Sequence, residues 1–396
     1  MINSVKSSSI RYYYLIAVIT YFSAIYLPFI RVGLFMSFII GIGIFILYKN
    51  KKFELRKGLD MLVLAYIFYN ILSFVFFSFS GLPISVFFKE FSNSILPIIS
   101  FYFFGRLNYN TSFYKITLYS LVACFIVGYF FYLTLPMNYM EFMNNIDGSG
   151  TNPIGYIDYH SILGITATGS LGAIGFLLSF DILYNSNFKK GKIAFLICFI
   201  ALVLSFRRAA LYTAIFAVLW INYFVLFKFK GQKFKLLFFE FLVIFVFLYR
   251  LIDSNPEFLS DLLERFTSFS DAINSRSDSW FNGLSSTQNF IVGDGLGRYG
   301  HKAVEFSNIY IPDGNYFRMI AELGVIGFSL FLLIVLTALY RGFSKIRNHY
   351  VELCIIIMVC MQAVGSDMFS FQLVAPIFWF SIGACNKLDP TTRKVY

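Results

Sequence analysis

Apolar stretches long enough to cross a bilayer recur along this chain, and that recurrence constrains the fold more than any other feature. A helix needs about 20 apolar residues to span the hydrocarbon. Reading for such runs gives about twelve, near 12–30, 32–48, 59–79, 84–104, 113–135, 159–184, 192–206, 208–227, 234–252, 315–340, 351–366 and 368–385. The fourth is the weakest, because Lys89, Glu90, Ser92 and Asn93 interrupt it, and the seventh and eleventh are short. Composition agrees: 58% of the 396 residues are hydrophobic and only 13% charged, too few charges to clothe a soluble surface. The chain reads as an all-α polytopic integral membrane protein. Its first run follows Lys6 and Arg11 as a signal peptide would, but no small-residue cleavage site comes after it, so it is expected to be retained.

Orientation follows from the basic residues. One set of alternate connections holds 22 of the 32 Lys and Arg, among them Lys6, the tract Lys49–Lys57, Lys189, Lys228, Lys345 and Lys394. Both termini are therefore expected in the cytoplasm. The net charge of +11 is spread over these short tracts and forms no clustered patch, which excludes a nucleic-acid partner. The ten basic residues left outside are eight Arg (Arg31, Arg207, Arg208, Arg250, Arg265, Arg276, Arg298, Arg318) and two Lys (Lys89, Lys302). Arg offers a planar fork that binds phosphate or carboxylate bidentately, so the bias points to an anionic ligand on the outer side.

The expected organisation is transmembrane helices 1–9 in 1–252, a large external, periplasmic-side loop in 253–314, and helices 10–12 with a cytoplasmic tail in 315–396. The external loop exceeds 60 residues and carries Phe258, Leu262, Phe266, Trp280 and Phe281, as a folded, membrane-apposed cap would. A second external loop, Leu135–Asp158, holds Glu141 and Asp147 but no Lys or Arg. Five Cys without a C-x-x-C and only three His give no disulfide framework and no metal centre; no cofactor is expected.

Several residues stand out against this background. Arg207 and Arg208 interrupt an apolar stretch at the outer mouth of two helices; the plain reading is snorkelling to headgroups, the functional one a ligand contact. The segment IVGDGLGRYG has neither a preceding strand nor a following Lys-Ser/Thr, so a tight glycine turn is favoured over a nucleotide loop. Asp313 and Asn315 sit where a helix cap belongs. Glu322 falls inside the tenth helix, ahead of Gly324 and Gly327, which read as a small-residue packing face. His160 opens the sixth helix, where it caps, packs or acts.

The order of these features carries more than any one of them. An Arg-bearing outer turn comes first, then a large late loop with R-x-x-x-W (Arg276 to Trp280). G-x-G-x-G follows, then D-x-N-Y (Asp313, Asn315, Tyr316), then E-x-G-x-x-G. In that order the chain resembles the O-antigen polymerase (Wzy-type) and O-antigen ligase superfamily, most closely over 205–350. The resemblance implies a type C glycosyltransferase-like helical enzyme of about twelve spans at the outer face of the bacterial inner membrane. Its substrate would be an undecaprenyl-pyrophosphate-linked oligosaccharide, met from membrane lipid, with a chain-length regulator as a further partner. The ligases carry His where this chain has Asp313, which disfavours ligase and suits a polymerase of lipopolysaccharide, capsule or a related glycan. Arg207, Arg208, Arg276, Arg298, Asn315 and Tyr316 are then expected to bind pyrophosphate and glycan. Asp313, His301, Glu322 and His160 are the local choices for the base that takes the acceptor proton. Arg207, Arg208 and Arg276 are expected to converge on one outer pocket. A ligase-type transferase and a lipid-linked oligosaccharide flippase are the alternatives; the flippase is disfavoured because no repeat relates the two halves.

Overall fold

The computed structural model describes residues 7–23, 39, 41–43, 55, 58–107, 112–134, 165–185, 188–205, 207–224, 242, 245–246, 269–311, 313–371 and 373–386. Among them every regular element is helical and no strand occurs. The helices are α1 Ser7–Ser23, α2 Leu59–Phe77, α3 Ile84–Ser94, α4 Phe103–Leu107, α5 Ser112–Thr134, α6 Ile165–Asn185, α7 Phe188–Leu204, α8 Arg208–Asn222, α9 Phe269–Ser285, α10 Asn315–Ser344, α11 Ile346–Gln362 and α12 Ala375–Cys385. Three stretches among the described residues are long and apolar enough to cross a membrane: Leu59–Ser80, Ser112–Phe130 and Asn315–Ser344. The run expected at 234–252 lies almost entirely outside the described residues, as do most of 32–48 and the start of 159–184.

Besides the run 315–340, which breaks at Gly324, two described apolar runs are not single helices. The run 84–104 is helical in pieces: α3 ends at Ser94, and a wide π-type turn at Ile98–Tyr102 follows Pro97 before α4 begins. Pro97 brings no N–H to the ladder, which accounts for the interruption. The run 368–385 becomes helical only from Ala375, with a proline in its first turn. Its 11 residues are shorter than a span needs.

The chain divides into two compact units, Met1–Ile116 with Arg276–Arg393 and Thr117–Ser275 with Lys394–Tyr396. In the first, α2 opens after Gly58 at positive φ and closes at Gly81, also at positive φ. Two polar residues inside α2 donate back onto its own carbonyls, Asn70 to Tyr66 and Ser73 to Asn70. The helix α12 meets the 98–107 segment at two glycines. A Cβ on Gly105 would lie 2.2 Å from the Phe380 carbonyl, and one on Gly383 2.0 Å from that of Tyr102. Small residues let these backbones touch, as in membrane helix packing. Rings of Tyr13, Tyr14, Phe104, Phe113 and Phe380 fill the adjoining core.

In the second unit α6 and α7 form a close pair. Gly172 faces Leu202, Gly175 faces Cys198, and the rings of Phe176 and Phe180 pack edge-on or tilted against those of Phe195 and Phe199. The turn from α7 to α8 carries Arg207, in extended conformation, and Arg208, the first residue of α8. The stem of Arg207 rests against Gly169 of α6, where a Cβ would come within 2.7 Å of it.

Candidate functional site

The site of the first unit is built around the start of α10. That helix begins after Gly314, whose φ of 90° serves as the cap without any side-chain bond, so Asp313 and Asn315 are not capping residues as their position promised. A Cβ on residue 314 would meet the Trp280 ring at 2.8 Å, and the left-handed turn frees Asp313 to point elsewhere. Its carboxylate lies 3.4 Å from Nε of Arg276, and both side chains are well exposed, 32% and 41%. Nη1 of Arg276 donates to the Gly365 carbonyl at 3.1 Å. Three segments distant in sequence thus meet at one cation and one carboxylate. Behind them Trp280, Tyr299, Ile311 and Ala321 make a small core, with Trp280 stacked on Phe317.

One turn deeper the side chains are buried. Asn315 donates to Asp367 and accepts from the Met368 and Phe369 amides, which clamps the start of α10 to the loop before α12. Arg318 meets three carboxylates: Asp367 at 2.5 Å, Glu90 at 3.2 Å and Glu322 at 3.9 Å. It also donates to Ser370 at 2.8 Å. Glu90 and Glu322 are closed off, whereas 18% of the Asp367 side chain remains exposed. A cavity of about 30 Å³ is lined by Tyr66, Ser94, Asn315, Arg318, Glu322 and Ser370, room for one or two waters. Burial would raise the Asp367 carboxyl, but Arg318, Ser370, Asn315 and the charge of His301 prevail and hold it below the ordinary carboxylate range.

The glycine segment explains how Glu322 is held. The helix α10 breaks at Gly324, with φ 65° and ψ −177°. The Ala321 and Glu322 carbonyls freed by the break accept from the Asp294 and Gly295 amides, at 3.0 and 2.9 Å. The Val325 and Ile326 amides beyond it donate to the carbonyls of Phe290 and Ile291 at 3.1 and 3.2 Å. The Tyr69 hydroxyl is shared between the carbonyls of Val292 and Leu323. Contact is so close that a Cβ on Gly293 would sit 2.4 Å from the Glu322 carbonyl carbon. G-x-G-x-G is thus a tight glycine turn, as its context indicated, fitted to the break in E-x-G. Gly324 belongs to that break, while Gly327 packs against the Tyr69 ring as a small-residue face should. The Tyr299 amide donates to Glu322 at 3.1 Å. Burial and a hydrogen bond to Asp294 push the Tyr299 phenol up to about 12.

The other expected residues fall in different settings. Arg298 lies 3.4 Å from Asp294 and over the Tyr299 ring. The Tyr316 hydroxyl donates to the Cys360 carbonyl at 2.7 Å, and its ring packs edge-on to Phe328 and Phe369. His301 is exposed in a short 3-10 turn, His301–Ala303. Arg207 and Arg208 belong to the second unit and Arg276 to the first. His160 and the whole of 135–164 lie outside the described residues. Sequence reasoning counted Arg318 in the outer Arg set that points to an anionic ligand, whereas the structure surrounds it with carboxylates; Glu90, Asp367 and Ser370 were not selected for the site. The available signal was Glu90 itself, a charge stranded in an apolar run. Among the described residues no group of three or more His, Cys, Asp or Glu is arranged to hold a metal ion. Compared with known protein families and with curated proteins, the chain gives no match.

Proposed function

We propose that this protein is a polysaccharide repeat-unit polymerase of the bacterial inner membrane, a twelve-span glycosyltransferase with both termini in the cytoplasm. It moves a growing glycan from undecaprenyl pyrophosphate onto another lipid-linked repeat unit at the outer face. The observation that carries this reading is the partly exposed Arg276–Asp313 pair, set at the start of the longest apolar helix among the described residues and backed by buried charge. A pyrophosphate that takes the Arg276 fork releases Asp313 from its partner. The acceptor hydroxyl oxygen then attacks the anomeric carbon, its proton passes to the Asp313 carboxylate, and the bond to pyrophosphate breaks with the electron pair left on the phosphate oxygen. Arg276 stabilises that developing charge. Glu322 is less accessible to an acceptor hydroxyl than Asp313 because it is buried under the glycine turn.

The broken helix and the buried Arg318 cluster also fit a transporter of lipid-linked oligosaccharide. Against that reading, the 20 residues of α10 after Gly324 measure about 30 Å and span a bilayer alone, so the break falls at an end and not at mid-membrane. Deleting the gene separates the possibilities. Single-unit or very short surface glycans are expected; unchanged chain-length ladders would sink the proposal. Loss of all attached glycan identifies a ligase, and lipid-linked units trapped on the cytoplasmic side identify a flippase.

A further inference from the structure

The turn that mends the broken helix carries two apolar side chains with no protein against most of their surface. Phe290 is 52% exposed and Ile291 65%. Through their carbonyls both are bonded to Val325 and Ile326, themselves 42% and 41% exposed. Val325 is the first residue of the 20-residue stretch of α10 beyond Gly324, whose length of about 30 Å equals the hydrocarbon thickness. With that stretch read as the span, Phe290 and Ile291 stand where the hydrocarbon begins, and they adjoin the exposed Val325 and Ile326 of the helix.

The backbone of the turn is finished in a way that an aqueous loop has no need of. The Ile291 and Val292 amides donate to the Asn289 side chain, and the Gly293 amide donates to the Asn289 carbonyl. The carbonyls of Phe290, Ile291 and Val292 are taken by Val325, Ile326 and Tyr69. The Gln288 and Asn289 amides donate to the Asp294 carboxylate. No charged side chain occurs from Gln288 to Gly293. Irregular backbone is tolerated at membrane depth when its polar groups are satisfied within the protein, and the amides of Ile291, Val292 and Gly293 and the carbonyls of Asn289, Phe290, Ile291 and Val292 are so satisfied.

We propose that Phe290 and Ile291 form a finger that inserts into the bilayer at the hydrocarbon boundary, its occupant being the acyl chains of lipid. It anchors the glycine turn, and through it Glu322, at a fixed depth. The proposal rests on the reading of α10 beyond Gly324 as a membrane span. The test uses the full chain reconstituted in phosphatidylcholine vesicles with brominated or ordinary acyl chains. Phe290→Trp and Ile291→Trp are compared with the parent, whose own indoles are Trp220, Trp280 and Trp379, and Leu333→Trp reports on the span. The emission added by each finger variant should fall by half or more in brominated lipid and resist aqueous iodide. Quenching by iodide alone would mean a water-exposed loop, and resistance to both quenchers a protein-covered face; either overturns the finger. If Leu333→Trp also escapes brominated lipid, the span reading fails with it. If Leu333→Trp is quenched and both finger variants are not, the finger alone fails.

Discussion

The antiparallel helices α2 and α10 bury a charged network at each end of their pairing, and the two networks follow opposite plans. At the Asp60 end one carboxylate meets one guanidinium, with Asp60 and Arg106 at 2.5 Å and both closed from solvent. Tyr102 and Asn386 donate to the same carboxylate at 2.6 and 2.8 Å, and Arg341 donates to Asn386. At the Arg318 end a single guanidinium is shared by three carboxylates, a cavity adjoins it, and Asp367 opens to the surface beside an exposed ion pair. Taking an ion out of water costs several kcal/mol, recovered only when pairing is good and the remaining polar atoms are satisfied. The Asp60 end pairs its single carboxylate with one guanidinium and two further donors. The Arg318 end sets three carboxyl groups around one guanidinium, and under the proposed function that uneven count is what distinguishes it from a purely structural pair.

The largest expected effect breaks both networks and then repairs them. Arg318→Met leaves three buried carboxylates around an uncharged stem, and Arg106→Met strands Asp60; each should cost about 3–5 kcal/mol, read as lost folded protein on size exclusion and a lower Tm. The repairs should diverge. Asp60→Asn with Arg106→Met should recover both folding and glycan ladders, because that network only holds helices together. Arg318→Met combined with Glu90→Gln, Glu322→Gln and Asp367→Asn should recover folding but not ladders. Normal ladders from this second repair would make the two ends equally structural and remove the contrast.

Next in size come conservative exchanges among the arginines. Lys keeps the charge but loses the planar fork. Arg207→Lys, Arg208→Lys and Arg276→Lys should each reduce polymer synthesis by about 10²-fold, the scale of losing one donor to a developing charge. Arg341→Lys, at the Asp60 end, should leave the ladders near normal. Ladder analysis at matched expression decides each case; a wild-type ladder from a variant would remove that arginine from phosphate recognition.

What the sequence disclosed, and what it hid, follows the same division between local and distant causes. The helices α2, α5 and α10 were legible because their apolar runs are long and their ends are marked nearby, by Gly58 and Gly81 for α2. The non-helical start of 368–385 was not legible, because its Met368 and Phe369 amides are satisfied by Asn315, more than 50 residues away. The break at Gly324 was hidden for the same reason: its partners are Phe290, Ile291, Asp294 and Gly295. At the site, Arg276, Asp313 and Glu322 drew notice as polar residues out of place. Asp367 did not, since a lone Asp between two apolar runs looks like an ordinary turn until Arg318 is seen against it.

The smallest effect concerns Asp367, the exposed edge of the unbalanced network. Its carboxyl is held below the usual range because Arg318, Ser370, Asn315 and the charge of His301 outweigh burial. A group whose folded-state pKa is depressed stabilises the fold fully above its unfolded value, about 3.9 for Asp. That contribution fades as pH falls through the folded-state value, because the unfolded chain then binds the proton more readily. Wild-type Tm in detergent should therefore fall as pH drops below about 4. Asp367→Asn keeps an acceptor for Asn315 but loses the ionised partner of Arg318, which should cost about 1–3 kcal/mol at neutral pH. The variant should also show a shallower acid limb, so that the two Tm curves draw together from about pH 7 to about pH 3. If the curves run parallel instead, Asp367 does not titrate with folding. The surface-facing edge of the Arg318 network is then as inert to protons as a closed pair, and the contrast between the two ends narrows to their number of carboxylates.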